Sequence, residues 1–215
     1  SWRVAPLLAI KYRRSGVKDT VFNVNGQELG VSVHLDGFLG AKLETRLDFG
    51  AAVMDYGLKA DLPALAGLVP DQRRHSFGIR QDVTQGLSLY ATYEQYGYSL
   101  DPVAVARFLV NRRKPRVNAA FSLVDFPDRA RSYGMSWGAL DKLDLDVSFA
   151  QSDSVIAQRQ QTLRVAGTWA VTSKVDVTLA FSQTNTDAIL RPNGVPLVEE
   201  QRGSTFELTL GWNFN

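Results

Sequence analysis

Ser32, His34 and Asp36 stand at alternate positions, so an extended backbone would carry all three on one face. A hydroxyl, an imidazole and a carboxylate on one face invite a hydrolase-like reading, in which the imidazole takes the hydroxyl proton. The same alternation makes any short polar run look like a constellation, so a solvated histidine is the plainer account. The other histidine, His75, follows Arg73 and Arg74 in a stretch that reads as a long basic loop. The sequence has no glycine-rich phosphate loop, metal-ligand spacing or nucleophile elbow, and no cofactor or metal is expected. What it has in quantity is charge spaced by two. Lys42, Glu44, Arg46 and Asp48 interleave with Leu43, Thr45 and Leu47. Such a row does no covalent chemistry; it sets a potential along one face and needs water or opposite charge in front of it.

Strands must position these residues. From Val21 the odd positions run from Asn23, Asn25 and Gln27 into Leu29, Val31, Val33 and Leu35, a gradient that suits a strand descending from water into lipid. A first strand is expected from Trp2 to Arg13, then a loop over Ser15 to Asp19. Asp36-Gly37 is a two-residue hairpin signal, and a strand continues from Leu39 to Val53. Residues 57–75 break the alternation, with a possible short helix in DLPALAGLVP. Strands resume at Phe77, turn at 84–86 and continue from Leu87 to Tyr93. Over 100–115, Asp101-Pro102 signals a helix start, although Ala104, Ala106, Phe108 and Val110 equally suit a strand. Further strands follow at 117–123, 133–139, 143–149, 163–171, 175–181 and 206–214.

The chain has 215 residues, no cysteine and a net charge of +2, so neither a disulfide framework nor a nucleic-acid partner is indicated. No apolar run approaches the roughly 20 residues of a spanning helix. No signal peptide is visible, as expected of a mature chain or a fragment of a longer one.

The last stretch, Phe206 to Asn215, places Phe206, Leu208, Leu210, Trp212 and Phe214 on one face and Glu207, Thr209, Gly211, Asn213 and Asn215 on the other. A closing strand that alternates, carries a glycine and ends on an aromatic resembles those of bacterial outer-membrane β-barrels, although Asn215 follows Phe214 here. The resemblance implies an all-β fold: one closed antiparallel transmembrane barrel over residues 1–215, of about twelve strands, or ten if 100–115 is a helical loop insertion. It implies outer-membrane lipid as surroundings and barrel-assembly machinery as a partner read through the last strand. A homo-oligomer or an envelope complex is a further possible partner.

Within that frame, the charged positions line the pore: Arg3, Lys11, Lys42, Glu44, Arg46, Asp48, Arg80, Glu94, Arg116, Asp144, Asp146, Arg164, Asp176 and Glu207. A mainly basic wall would face an acidic one. Trp2, Trp137, Trp169 and Trp212, with Phe214, fall at one membrane interface, where an indole has an apolar body in lipid and an N–H in water. Segments 56–75 and 184–203 are expected outside the cell, and the short turns at 36–37, 140–142 and 172–174 in the periplasm. The competing reading is a soluble β-sandwich, with the charges as its wet surface. For the barrel, the expected function is passage of small polar or charged solutes, or a polymer. Alternatives are a structural barrel anchoring a larger secretion or envelope assembly, and an outer-membrane hydrolase.

Overall fold

The computed structural model describes residues 2–5, 7–18, 22–36, 44–58, 71–84, 86–104, 126–140, 142–172, 175–190, 196–198 and 200–212. Strands dominate: β1 (Trp2–Ala5), β2 (Leu8–Lys18), β3 (Phe22–Asp36), β4 (Glu44–Leu58), β5 (Gln72–Thr84), β6 (Leu87–Tyr98), β7 (Pro127–Leu140), β8 (Leu143–Ser154), β9 (Arg159–Ala170), β10 (Val175–Thr186), β11 (Ile189–Leu190), β12 (Pro196–Val198) and β13 (Gln201–Trp212). β1 to β10 and then β13 form one antiparallel meander, and β11 with β12 makes a separate small hairpin. β1 has four residues, whereas β2 to β10 and β13 have 11 to 15 each, enough for a tilted strand to cross a bilayer.

Several expectations are corrected. The first strand breaks between Ala5 and Leu8, and β1 folds back on β2 with Trp2 opposite Ile10; the sequence carries a proline in that interval, and proline lacks the N–H that a continuous ladder needs. The loop expected over Ser15 to Asp19 is strand as far as Lys18, which pairs with Asn23. Asp36 is itself in the ladder, opposite Glu44, so the two-residue turn at 36–37 does not form. β5 begins at Gln72, which puts Arg73, Arg74 and His75 in a strand rather than a loop. The possible helix over 61–70 and the strand over 117–123 lie outside the described residues. Pro102 to Ala104 are helical, and the Asp101 carboxylate accepts the Val103 N–H at 2.9 Å, so the N-cap signal holds; Ala106, Phe108 and Val110 lie outside the described residues. β6 pairs directly with β7, Leu87 opposite Trp137, so no strand of the 99–126 segment lies between them.

The two faces of the sheet differ as alternation requires. One carries Leu29, Phe49, Phe77, Leu89, Tyr133, Phe149, Leu163, Leu179, Phe206, Leu208 and Leu210, all of them exposed, Phe206 to 81% and Leu210 to 72%. The buried hydrophobic residues, among those described, are three alanines: Ala52, Ala166 and Ala180. The chain exposes 14656 Å², against roughly 9,900 Å² for a compact soluble monomer of its mass. In water each bare Leu or Phe would forgo roughly 1.5–3 kcal/mol of burial; against hydrocarbon none of them does.

The register adds a dimension that alternation lacks. On the apolar face, Leu29 shares a rung with Ala51, His75, Gln95, Arg129, Asp153 and Arg159. On β3 the apolar band therefore starts on a rung that is polar on β5 to β9. It starts one rung lower at Phe77 and Tyr93, two lower at Tyr133, Phe149 and Leu163, and three lower at Phe181 and Phe206. Val53 on β4, a rung higher than Leu29, is the exception. Three rungs of two residues are about 20 Å along the strands, and eight strand spacings from β3 to β13 are about 38 Å. The band thus crosses the ladder at about 30°, near the tilt of strands in membrane barrels.

Candidate functional site: the charged face of the sheet

The opposite face holds the charges. Glu28, Ser32, His34, Arg46, Asp48, Arg74, Arg80, Glu94, Asp144, Asp146, Arg164, Asp176 and Glu207 all occupy its rungs. Lys11, opposite Gly30, and Glu44, opposite Asp36, belong to the same face, and the backbone of Arg3 sits at its Ala9 rung. Lys42, Arg116 and Phe214 lie outside the described residues. On the apolar face Trp137 and Trp169 are 45% and 55% exposed. They lie near the ends of β7 and β9, towards the rim of the short 85–86 and 141–142 connections; the Trp212 backbone pairs with Val175 at the same rim.

Ser32 and His34 are not assembled as a catalytic pair. The Ser32 hydroxyl donates to Asp48, and the His34 ring meets Glu44. They join a polar cluster in which Arg46 Nε donates to Asp48 at 2.9 Å and Arg80 Nη2 donates to Ser88 at 2.9 Å. Arg80 Nε lies 3.8 Å from Asp82. Glu44, Arg46, Arg80 and Asp82 border a cleft of about 240 Å³.

Arg74 organises a second cluster. Its guanidinium donates to Glu28 at 2.7 Å and to Glu94 at 3.4 Å, and Tyr96 donates to Glu94. Glu28, Ala52, Arg74 and Tyr96 share one rung. The short side chain of Ala52, itself buried, lets Arg74 pass over β4 to reach Glu28 on β3. Both clusters bring carboxylates to the wall expected to be basic. Among the described side chains of β2 to β5, Lys11, Arg13, Arg46, Arg74 and Arg80 stand on this face with Glu28, Glu44, Asp48 and Asp82, and the backbone of Asp36 occupies one of its rungs. That wall is nearly balanced, whereas the described residues of β6 to β13 carry Glu94, Asp144, Asp146, Asp176 and Glu207 against Arg164.

Neutral groups flank the clusters on β6 to β9. Thr92, Ala130, Ser132, Ala150, Ser152, Gln160 and Thr162, with Glu94 at the edge, border a trough of about 380 Å³. Below it, Tyr90 lies flat across Gly134 and directs its hydroxyl to Asp146 at 3.4 Å. A Cβ on residue 134 would overlap the Tyr90 ring, so glycine here is a matter of space. Gly134→Ala is expected to lower stability by about 1–3 kcal/mol through overpacking. Combining it with Tyr90→Ser should recover most of that loss in a double-mutant cycle. Additive losses in denaturant unfolding would show that the ring and the glycine are not coupled.

Sequence reasoning missed Arg74, because it was taken for loop, and Tyr90, whose partner is 56 residues away. Glu28 was recoverable, since it alternates with the apolar residues Leu29 to Leu35.

No family model and no curated protein matches this chain. Among solved structures it is similar to the outer membrane channel DcaP of Acinetobacter baumannii, with a TM-score of 0.55, 10% identity and 99% of this chain covered. The match covers 60% of that channel. The KdgM porin matches with a TM-score of 0.45 and 9% identity over 97% of this chain and 99% of its own. An anion-selective porin from Comamonas acidovorans matches with a TM-score of 0.48 and 13% identity, over 95% of this chain and 58% of its own. A two-faced antiparallel meander that superposes along almost its whole length on an outer membrane channel has the fold of an outer-membrane porin.

Proposed function

We propose that the sheet closes into a barrel in the bacterial outer membrane and that its charged face lines a water-filled passage for small polar or charged solutes. The observation that carries this is the two-sidedness of the ladder: exposed aliphatic and aromatic rungs back onto a continuous charged and hydroxyl-bearing face. Lipid suits only the first face, and water only the second. The slope of the apolar band supports closure, because strands tilted near 30° can curl into a barrel whereas upright ones cannot. Closure also removes the unpaired edges of β1 and β13, which hydrocarbon does not tolerate.

Connections differ in length at the two rims. At one rim those between β4 and β5, β6 and β7, and β10 and β13 span residues 59–71, 99–126 and 187–200, with 19–21 and 155–158 short beside them; at the other rim 85–86, 141–142 and 171–174 are short and 37–43 is longer. We place the long connections outside the cell and the tryptophan rim towards the periplasm. β13 is then the strand that assembly machinery would engage.

Purified protein reconstituted into planar bilayers is expected to give discrete ion-conducting steps. Correct insertion without conductance would overturn the channel and leave a membrane anchor for a larger assembly as the reading.

A further inference from the structure

Arginines gather on the wrong face at one rim. On the apolar face of β7 to β9, the rung Arg129–Asp153–Arg159 lies above the rung Arg131–Gln151–Gln161. Below these come Tyr133–Phe149–Leu163 and then Met135–Val147–Val165. Successive rungs are about 7 Å apart, so within about 20 Å the surface passes from guanidinium, through amide, to aromatic and aliphatic carbon. A water-facing patch has no need of the lower two layers, and a purely hydrocarbon-facing one could not hold the upper rung.

The upper rung is a built arrangement. Asp153 is 14% exposed and meets all three arginines: Arg159 Nε at 3.1 Å, Arg129 Nε at 3.9 Å and Arg131 Nη2 at 3.9 Å. Asp128 holds Arg129 Nε at 3.1 Å. The tight connection after β8 brings Arg159 to this position. Ala157 adopts a left-handed conformation, φ 60°, and its N–H donates to the Ser154 carbonyl at 2.8 Å, while the Gln158 N–H donates to the Ser154 hydroxyl at 3.1 Å. A non-glycine residue held at positive φ costs of order 1–3 kcal/mol and persists where its surroundings impose it. Asp128, Arg129, Asp153, Ser154, Ala157 and Arg159 border an open hollow of about 370 Å³. Three guanidiniums face two carboxylates here, and the Nη groups of Arg159 make no hydrogen bond among the described residues.

We propose that this patch binds an anionic membrane lipid, its headgroup phosphate monoester in the arginine hollow and its acyl chains along Tyr133, Phe149, Leu163 and the rung below. Guanidinium forks match phosphate oxygens in pairs. The carboxylate of Asp153 orients the three side chains without neutralising them all. The occupant is a lipid rather than a free anion, because a single rung, Arg131–Gln151–Gln161, separates the hollow from the apolar band, a depth that a polar headgroup spans. The patch lies at the rim of the long connections, which sets the leaflet in which that lipid resides. The inference rests on the reading that the apolar face meets lipid.

The test is native mass spectrometry of the folded protein from detergent, offered equimolar lipid A, whose sugars carry phosphate monoesters, and phosphatidylcholine. Wild type is expected to retain lipid A in preference by about five-fold or more, on the scale of one uncompensated arginine near a membrane surface. Arg129→Gln, Arg131→Gln and Arg159→Gln together should abolish the preference, while the triple lysine variant should retain part of it. If the triple glutamine variant does not fold, Arg159→Gln alone should reduce the preference, and added salt should reduce it in wild type. Equal retention of both lipids by wild type, or full displacement of lipid A by millimolar inorganic phosphate, would overturn the proposal. A protein that does not enter bilayers would instead fail the channel reading.

Discussion

Leu179→Arg is expected to lower the stability of the lipid-folded protein by about 2–4 kcal/mol, the cost of a cation facing hydrocarbon near the bilayer midplane. Leu179 stands on the apolar face between Gly167 and Leu208 and is 63% exposed. Ser182→Arg, three residues along the same strand, should cost well under half as much, because Ser182 lies on the charged face between Arg164 and Thr205. The comparison holds strand and introduced side chain constant and changes the face. Urea unfolding in lipid vesicles reads the difference directly. Equal losses at both positions would show that the exposed aliphatic rungs do not meet lipid and would favour a soluble sheet partnered by another protein surface.

Neutralising Asp144, Asp146 and Asp176 together is expected to remove most of the cation preference of the proposed channel. These carboxylates stand on the charged face near the short-turn rim of β8 and β10, and on β6 to β13 Arg164 is the one described cation facing them. The wall of β2 to β5, with nearly equal numbers of each sign among its described residues, contributes little net field. Wild type should therefore prefer cations at low salt. The preference should fade as the Debye length drops from about 10 Å at 0.1 M to about 3 Å at 1 M. Asparagine at all three positions preserves size, and reversal potentials across a salt gradient measure the change. Unchanged selectivity in the triple variant, with conductance intact, would place these side chains away from the permeation path.

Asp176 also shows a packing constraint. A Cβ on Gly211, its partner across the β10–β13 ladder, would come within 2.5 Å of the carboxylate oxygens. Glycine in the closing strand leaves the carboxylate room to lie against the wall.

The sequence alone determined the faces. Which side of a strand a residue occupies depends on parity, a property of the local backbone, so Leu208 and Glu207 could be assigned to opposite environments before any partner strand was known. The closing strand and its resemblance to outer-membrane barrels were legible for the same reason, and the porin fold agrees with them. Parity assigns no partners. Arg74 reaches Glu28 across 46 residues of sequence, Tyr90 reaches Asp146 across 56, and Arg129, Arg131 and Arg159 converge on Asp153 from the two strands that flank it. Each of these depends on register, and register depends on where the chain turns. The turns were the least legible part: a strand ended at Ala5 although the alternation continued past it, and Asp36, the first residue of a hairpin signal, was still paired in the ladder. Only the assembled ladder could show that the apolar band runs obliquely across the rungs. A strand's tilt is a relation between neighbours, set by the stagger that packing eleven strands side by side imposes.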